Sequence, residues 1–439
     1  MRGVQLLIAG LVPAMLAACG AGPRGRVATA IEQGDVPGAL VAYERVRASE
    51  GADADLLGRV AAVILLEAAR ADDDGARAAA LLQLSLAGTA GAPYLEELAA
   101  EDGVSAARVG ALKILARRGQ ESARYQLRAL ADHEDPTVLA ASVLGMDAEL
   151  DRDLMLRLLE HTTPAVRAAA ASGLRGAAGE NAVRDALAHA ARVDPEASVR
   201  SAAVRSLGAG GPGALDALRE RLSDPVSAVR LSAVSALVQA DDARGREAIS
   251  SLLEVDPSPS GIEAARLVAQ RDDAEAASTA RAYLRQVLRS SDAGLRSQAG
   301  VALAGLPASA DSEASPREAL RAALRTETEP SVRLSLARAL MRSEDAAARD
   351  ALEALLSEGG MPSVQAASLL VQDGHDAARD LLLGVLSDEG APSILRRTAA
   401  RSLARDAMEP DAVRSALTNE DDDVRIYAAG GMLAAAAAG

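Results

Sequence analysis

The chain has 439 residues, with 47 Lys plus Arg against 62 Asp plus Glu, a net charge of −15 and a single Cys. It contains no Phe or Trp and only five Tyr, yet hydrophobic residues make up 49% of it, so the core must be built from Ala, Leu and Val, small residues that mostly favour helix. One Cys excludes an intrachain disulfide. The negative field and the scarcity of rings for base stacking argue against a nucleic-acid partner.

The first element is an apolar run. Arg2 supplies a short positive start, and Val4 to Ala18 carries no charge. Fifteen residues are too few for a membrane span, which takes about 18 or more, and suit the centre of a secretory signal peptide. The run ends Leu16-Ala17-Ala18-Cys19, which resembles a bacterial lipobox. The resemblance implies cleavage before Cys19 and acylation of its thiol, palmitate included. Residues 1–18 are then a signal peptide, and residues 19–27 hold the lipidated Cys and a flexible tether. Two or three acyl chains would anchor firmly, at ~0.8 kcal/mol per buried methylene. Gly20 stands where Asp often marks inner-membrane retention in enteric lipoproteins. By that resemblance the outer membrane is favoured over the inner, and the location is the bacterial cell envelope.

Residues 28–90 form the next segment. Gly34, Asp35, Ala39, Leu40 and Tyr43 are spaced much as in one half of a tetratricopeptide-like hairpin. The stretch reads as three or four helices capping the remainder of the chain, as either a true tetratricopeptide unit or an unrelated helical cap.

From residue 91 onward the chain repeats. DPEASVRSAAVRSLG starts at Asp194, DPVSAVRLSAVSALV at Asp224 and EPSVRLSLARALM at Glu329. Anchored on the apolar residue before the usual Arg, the copies fall at Val166, Val199, Val229, Leu295, Val332, Leu395 and Val424. Weaker copies fall at Ala107, Val138, Ile262 and Val364. That gives about eleven units of about 32 residues. The longest interval, Leu295 to Val332, holds PASADSEASP, read as a surface loop. In each unit a second helix places apolar residues at the anchor, +4 and +8, as in Val229, Ala233 and Leu237, so that one stripe faces inward. A first helix precedes it, with Leu215, Leu218 and Leu222 or Leu352, Leu355 and Leu356. Such hairpins bury their faces only by stacking on neighbours.

At these residues the chain resembles HEAT-like repeats, most closely the short variety of the phycobilin lyases. The resemblance implies an all-α, right-handed α-solenoid with a helical N-terminal cap. It specifies fold more than function, because these repeats serve scaffolds, accessory subunits and a few enzymes alike.

The residue that recurs most is the Arg after the anchor: Arg108, Arg167, Arg200, Arg230, Arg296, Arg333, Arg396 and Arg425. Stacked at one repeat position, these could clamp anionic groups. The preferred reading is a structural ladder in which each Arg meets an Asp of a neighbouring turn, such as Asp194, Asp224 or Asp421. The Asp-Pro pairs at Asp135, Asp194, Asp224 and Asp256 read as helix caps. The acidic runs Asp72-Asp73-Asp74 and Glu420 to Asp423 lack the spaced ligands and central Gly of a calcium loop and read as solvated turns. The four His are His133, His161, His189 and His375. A HEAT-like di-iron hydroxylase family uses several His-Glu dipeptides, and only His133-Glu134 matches. The His read as solvent-facing or loop residues. No G-x-S-x-G, phosphate-cradling G-x-x-x-x-G-K or H-E-x-x-H pattern occurs, and neither a metal, a cofactor nor a catalytic residue is expected.

The expected function is therefore a non-catalytic, lipid-anchored scaffold that binds an envelope protein. The alternative is an enzyme or enzyme-partner subunit resembling the phycobilin lyases, holding a ligand in the concave face. In HEAT-like solenoids partners often bind along the second helices, so the outward positions Arg205, Ser206, Ser235, Arg338 and Arg401 are the candidate docking residues. The last unit ends GGMLAAAAAG. Its uncharged helix either packs wholly on its neighbour or meets a partner or another copy, which leaves self-association through the C-terminal repeat open.

Overall fold

A computed structural model describes residues 22–254, 257–269, 274–306, 315–341, 345–405 and 410–436. Residues 1–18, Cys19, Gly20, Asp256 and positions 307–314 of the long interval lie outside them. Every regular element is helical, and no strand occurs among the described residues. The fold is an α-solenoid of paired helices. No helix among the described residues is long and apolar enough to cross a membrane. The chain forms two compact units, one of residues 116–355 and one that joins the residues before 116 to those after 355.

In the central unit the first helices are Glu121–Arg128, Arg152–Leu158, Asn181–Val193, Leu215–Glu220, Ala243–Glu254, Ala274–Val287, Pro316–Thr326 and Ala346–Leu355. The second helices are Pro136–Ser142, Pro164–Gly173, Ala197–Leu207, Ser227–Gln239, Pro259–Ala269, Ala293–Ala304 and Pro330–Met341, and each packs on the next. Composition explains this stacking. Val166, Val199, Val229 and Val332 are fully buried, and so are Ala170, Ala203, Ala233 and Ala299 four residues after an anchor. A methyl at +4 holds little volume between neighbouring backbones, so the Leu and Val around it interlock. The core runs unbroken from Leu139 to Leu237.

The other unit begins with Pro23–Glu32, Val36–Glu50, Ala54–Arg70, Asp74–Leu86, Ala92–Ala99 and Ala106–Arg117. It resumes with Gly360–Leu370, Asp376–Ser387, Ser393–Ala404, Pro410–Leu417 and Asp422–Ala436. The expected tether is shorter than the sequence suggested. Pro23 opens the first helix, and Val27 is fully buried, because a Pro in the first turn costs no hydrogen bond and Val27 has an apolar face to join. The Tyr43 hydroxyl accepts the Asp53 N–H at 2.8 Å, and burial pushes its pKa up.

The last helix, Asp422–Ala436, packs on Ser393–Ala404 and also on the cap helices Ala54–Arg70 and Asp74–Leu86. Its approach depends on missing side chains. A Cβ on Gly58 would stand 2.8 Å from the Ala436 methyl, and one on Gly430 or Gly431 would collide with Gln83 or with the Arg401 carbonyl. Arg414 pairs with Glu44 at 3.0 Å across the same seam. The side that the sequence left to a neighbour, a partner or a second copy is covered by the chain's own cap.

Candidate protein-binding surface

The repeated arginines are engaged within and between repeats. Arg167 reaches Asp194 through Nε at 2.7 Å and Nη2 at 3.0 Å, while Nη1 donates to the carbonyls of His161 and Thr162. Arg200 repeats this on Asp224, at 2.9 and 3.1 Å, with Nη1 on the carbonyls of Asp194 and Pro195. Arg296 does so on Glu327, at 2.7 and 3.0 Å, with Nη1 on Ser290 and Ser291. Each guanidinium thus closes the turn before its own helix and grips the carboxylate of the next turn. The planar fork of Arg fits this two-sided task, and Lys would not.

The remaining positions vary. Arg230 holds the Asp224 and Pro225 carbonyls, and Asp256, its counterpart acid in the next sequence repeat, lies outside the described residues. Arg396 approaches Asp421 at 3.5 Å and Asn419 at 3.0 Å. Arg425 donates to the carbonyls of Asn419 and Glu420 and pairs with Asp422 in its own helix. Arg108 turns to the carbonyls of Ala99 and Gly103. Arg333 occupies the same position on Pro330–Met341.

The Asp-Pro reading needs correction at two positions. Asp135 caps its helix by accepting the Thr137 N–H. Asp194 and Asp224 stand two residues before Glu196 and Val226, the residues at the cap positions. Their carboxylates accept the N–H of Glu196 and Val226 and receive an Arg from the preceding repeat. They fasten turns instead of capping helices. Burial acts to raise the pKa of Asp194, Asp224 and Glu327, but the guanidinium and backbone N–H donors outweigh it and hold all three below the usual carboxylate range.

A second set of ion pairs joins successive first helices. Arg219 pairs with Asp242, Arg317 and Arg321 with Asp345, and Arg152 with Glu180. Arg219 is exposed, but it pairs with an Asp242 whose side chain is only 5% exposed.

Three His serve turns. The Nδ1 atoms of His133, His161 and His375 accept the N–H of Asp135, Thr163 and Ala378, and His189 is exposed. Among the described residues no group of three or more His, Cys, Asp or Glu is placed to hold a metal.

The candidate docking residues separate. Arg205 and Arg338 are exposed and Ser235 is half-buried, each six residues after its anchor. Ser206 is 2% exposed. It lies seven residues after Val199, nearly two full turns, and shares the buried face, so its outward assignment is wrong. Arg401 is also displaced from the open surface. Gly431 of the last helix lies on its backbone, and burial, helped by nearby Arg405, pushes its pKa down. The residue that sequence reasoning missed is Val301, six after Leu295 and 59% exposed. It lines a groove of about 570 Å³ with Pro259, Ile262, Arg266, Gln298 and Ala302, between two successive second helices. The repeat register could have found it, since it is the apolar counterpart of Arg205 and Arg338.

Residues 192–269 match the HEAT-repeat family. They cover the units anchored at Val199, Val229 and Ile262. No curated protein matches the chain. Among solved structures, human deoxyhypusine hydroxylase in complex with glycerol is similar at 18% identity, over 62% of this chain and 95% of that one, with a TM-score of 0.23. The complex of CpcE and CpcF of phycocyanin lyase from Nostoc sp. PCC7120 is similar at 16% identity, over 70% and 92% of the two chains, with a TM-score of 0.25.

Proposed function

We infer that the protein is a non-catalytic scaffold of the bacterial cell envelope, anchored by lipid at Cys19, that binds a protein partner along the second helices of the central unit. The observation that carries the reading is the row six residues after the anchors, where Arg205, Val301 and Arg338 are exposed while the anchors Val199 and Val332 are fully buried. At these three repeats position +6 is left open by stacking, whereas Val268 and Leu370, at the same position after Ile262 and Val364, are buried. Arg167, Arg200 and Arg296, by contrast, are engaged between repeats. An exposed apolar residue in a groove, with exposed Arg338 at the same position of the next repeat, has the mixed character of a docking surface. The anchor rests on the sequence alone, since the only Cys stands where a lipobox requires it.

Two variants test the two halves. Cys19→Ser should leave the protein released or unprocessed. If it is still cleaved at the same bond and stays with membranes after a high-salt wash, the anchor is wrong. Val301→Asp combined with Arg338→Glu should abolish crosslinking of the partner in native membranes without altering the circular dichroism spectrum. Undiminished crosslinking would remove this surface as the docking site.

A further inference from the structure

A cavity of about 390 Å³ lies in the unit that joins the two ends of the chain. Val36, Pro37, Ile64, Ala68, Leu417 and Ile426 supply its apolar lining, and Glu67, Thr418, Asp422 and Arg425 its polar groups. Its size is that of a ligand pocket. Its walls also bracket both acidic runs seen in the sequence. Ala71 and Ala76 line it on either side of Asp72-Asp73-Asp74, and Thr418 and Asp422 line it at the two ends of the turn that holds Glu420 and Asp421. Runs about 350 residues apart in sequence therefore meet at one rim.

The charge balance there is one-sided. The two bases at the rim are already matched, because Arg77 pairs with Asp74 and donates to the Ala71 carbonyl, and Arg425 pairs with Asp422 and holds two carbonyls. Glu67 and Asp72 are exposed and have no ion-pair partner among the described residues. Asp73 caps its helix, and Asp421 and Asp423 pair with Arg396 and Arg397, so Glu67, Asp72 and Glu420, all exposed, carry the charge left over for a larger cation.

We propose that this cavity takes a segment of a partner protein that carries apolar side chains next to Lys or Arg. The apolar lining would receive the hydrophobic side chains, and Glu67 and the acidic turns would meet the flanking cations. The occupant is taken to be a protein because the chain is read as a binding module, but the site is separate from the row at Arg205, Val301 and Arg338.

The probe is a fluorescent synthetic peptide alternating Leu and Lys, titrated into the full chain from Gly20 and followed by anisotropy. A matched peptide with Glu in place of Lys is the control. Binding of the Lys peptide is expected, with the Glu peptide at least tenfold weaker. Two variants separate the pocket from general attraction to an acidic protein. Glu67→Lys should weaken binding at least tenfold by reversing the rim charge. Ala68→Leu should do the same by filling the cavity at constant charge, and both variants should melt as the wild type does. If neither peptide binds, or if Ala68→Leu binds as the wild type does, the proposal is overturned. A cavity variant that binds the Lys peptide as the wild type does defeats this proposal while leaving the scaffold reading intact, because crosslinking through the Val301 row tests that reading separately. Loss of crosslinking only in the Val301 and Arg338 variant, with peptide binding retained, keeps the two sites distinct and supports it.

Discussion

Arg200 illustrates how a repeated residue works in this fold. Its side chain is 10% exposed and the Asp224 side chain 1% exposed, so neither charge has water to replace the other. Deleting one member of such a buried pair costs about 3–5 kcal/mol, whereas Arg244, 67% exposed and paired with an equally exposed Glu247, should contribute under about 1 kcal/mol. The depressed pKa of Asp224 sets the pH dependence. Its contribution to stability is complete above the unfolded carboxylate value of about 4 and is lost as pH falls through the lower folded value. Urea midpoints should therefore show Arg200→Ala far below wild type at pH 7, Arg244→Ala close to it, and the Arg200 gap narrowing as pH falls below about 4. A gap that stays constant with pH would mean that the pair does not titrate with folding.

At the scale of the helix, the inward stripe decides tolerance. Ala233 is fully buried against neighbouring second helices, and a guanidinium there has neither space nor a partner. Ala233→Arg should prevent cooperative folding of the central unit, seen as loss of the thermal transition in circular dichroism. Arg219→Ala should fold but melt lower than Arg244→Ala, because it leaves the buried Asp242 carboxylate without its guanidinium. Equal losses for Ala233→Arg and Arg219→Ala would show that the helix register is misplaced. Register was legible from Val229, Ala233 and Leu237 alone, since three residues on one stripe fix the rotation of a helix. The roles of Asp194 and Asp224 were only half legible. Spacing placed an Asp beside each turn, but whether it capped its own helix or received an Arg from the previous repeat depended on where the stacking put the two turns.

At the scale of the whole molecule, the last helix is the element whose removal should change most. It covers the apolar faces of Ala54–Arg70 and Asp74–Leu86, so deletion of residues 426–439 uncovers Leu and Ala that are now buried, and uncovered apolar area favours association at about 25 cal/mol per Å². Light scattering should find the shortened protein, starting at Gly20, more associated than the full one. A truncated chain with unchanged mass and unchanged melting would mean that the seam contributes nothing.

Composition and period determined the local structure. With no Phe or Trp and a dense supply of Ala, Leu and Val, only closely stacked helices could bury enough surface, and the recurring Val-Arg pairs marked where each second helix begins. Those features act through neighbours in the chain, so they can be read along it. The closure of the terminal unit, the burial of Ser206, the covering of Arg401 and the meeting of Asp72-Asp73-Asp74 with Glu420 to Asp423 could not be read that way. They depend on which surfaces meet after the helices have formed. Nothing in GGMLAAAAAG names its partner until Gly58, Gly430 and Gly431 are seen to leave room for Ala436, Gln83 and the Arg401 carbonyl.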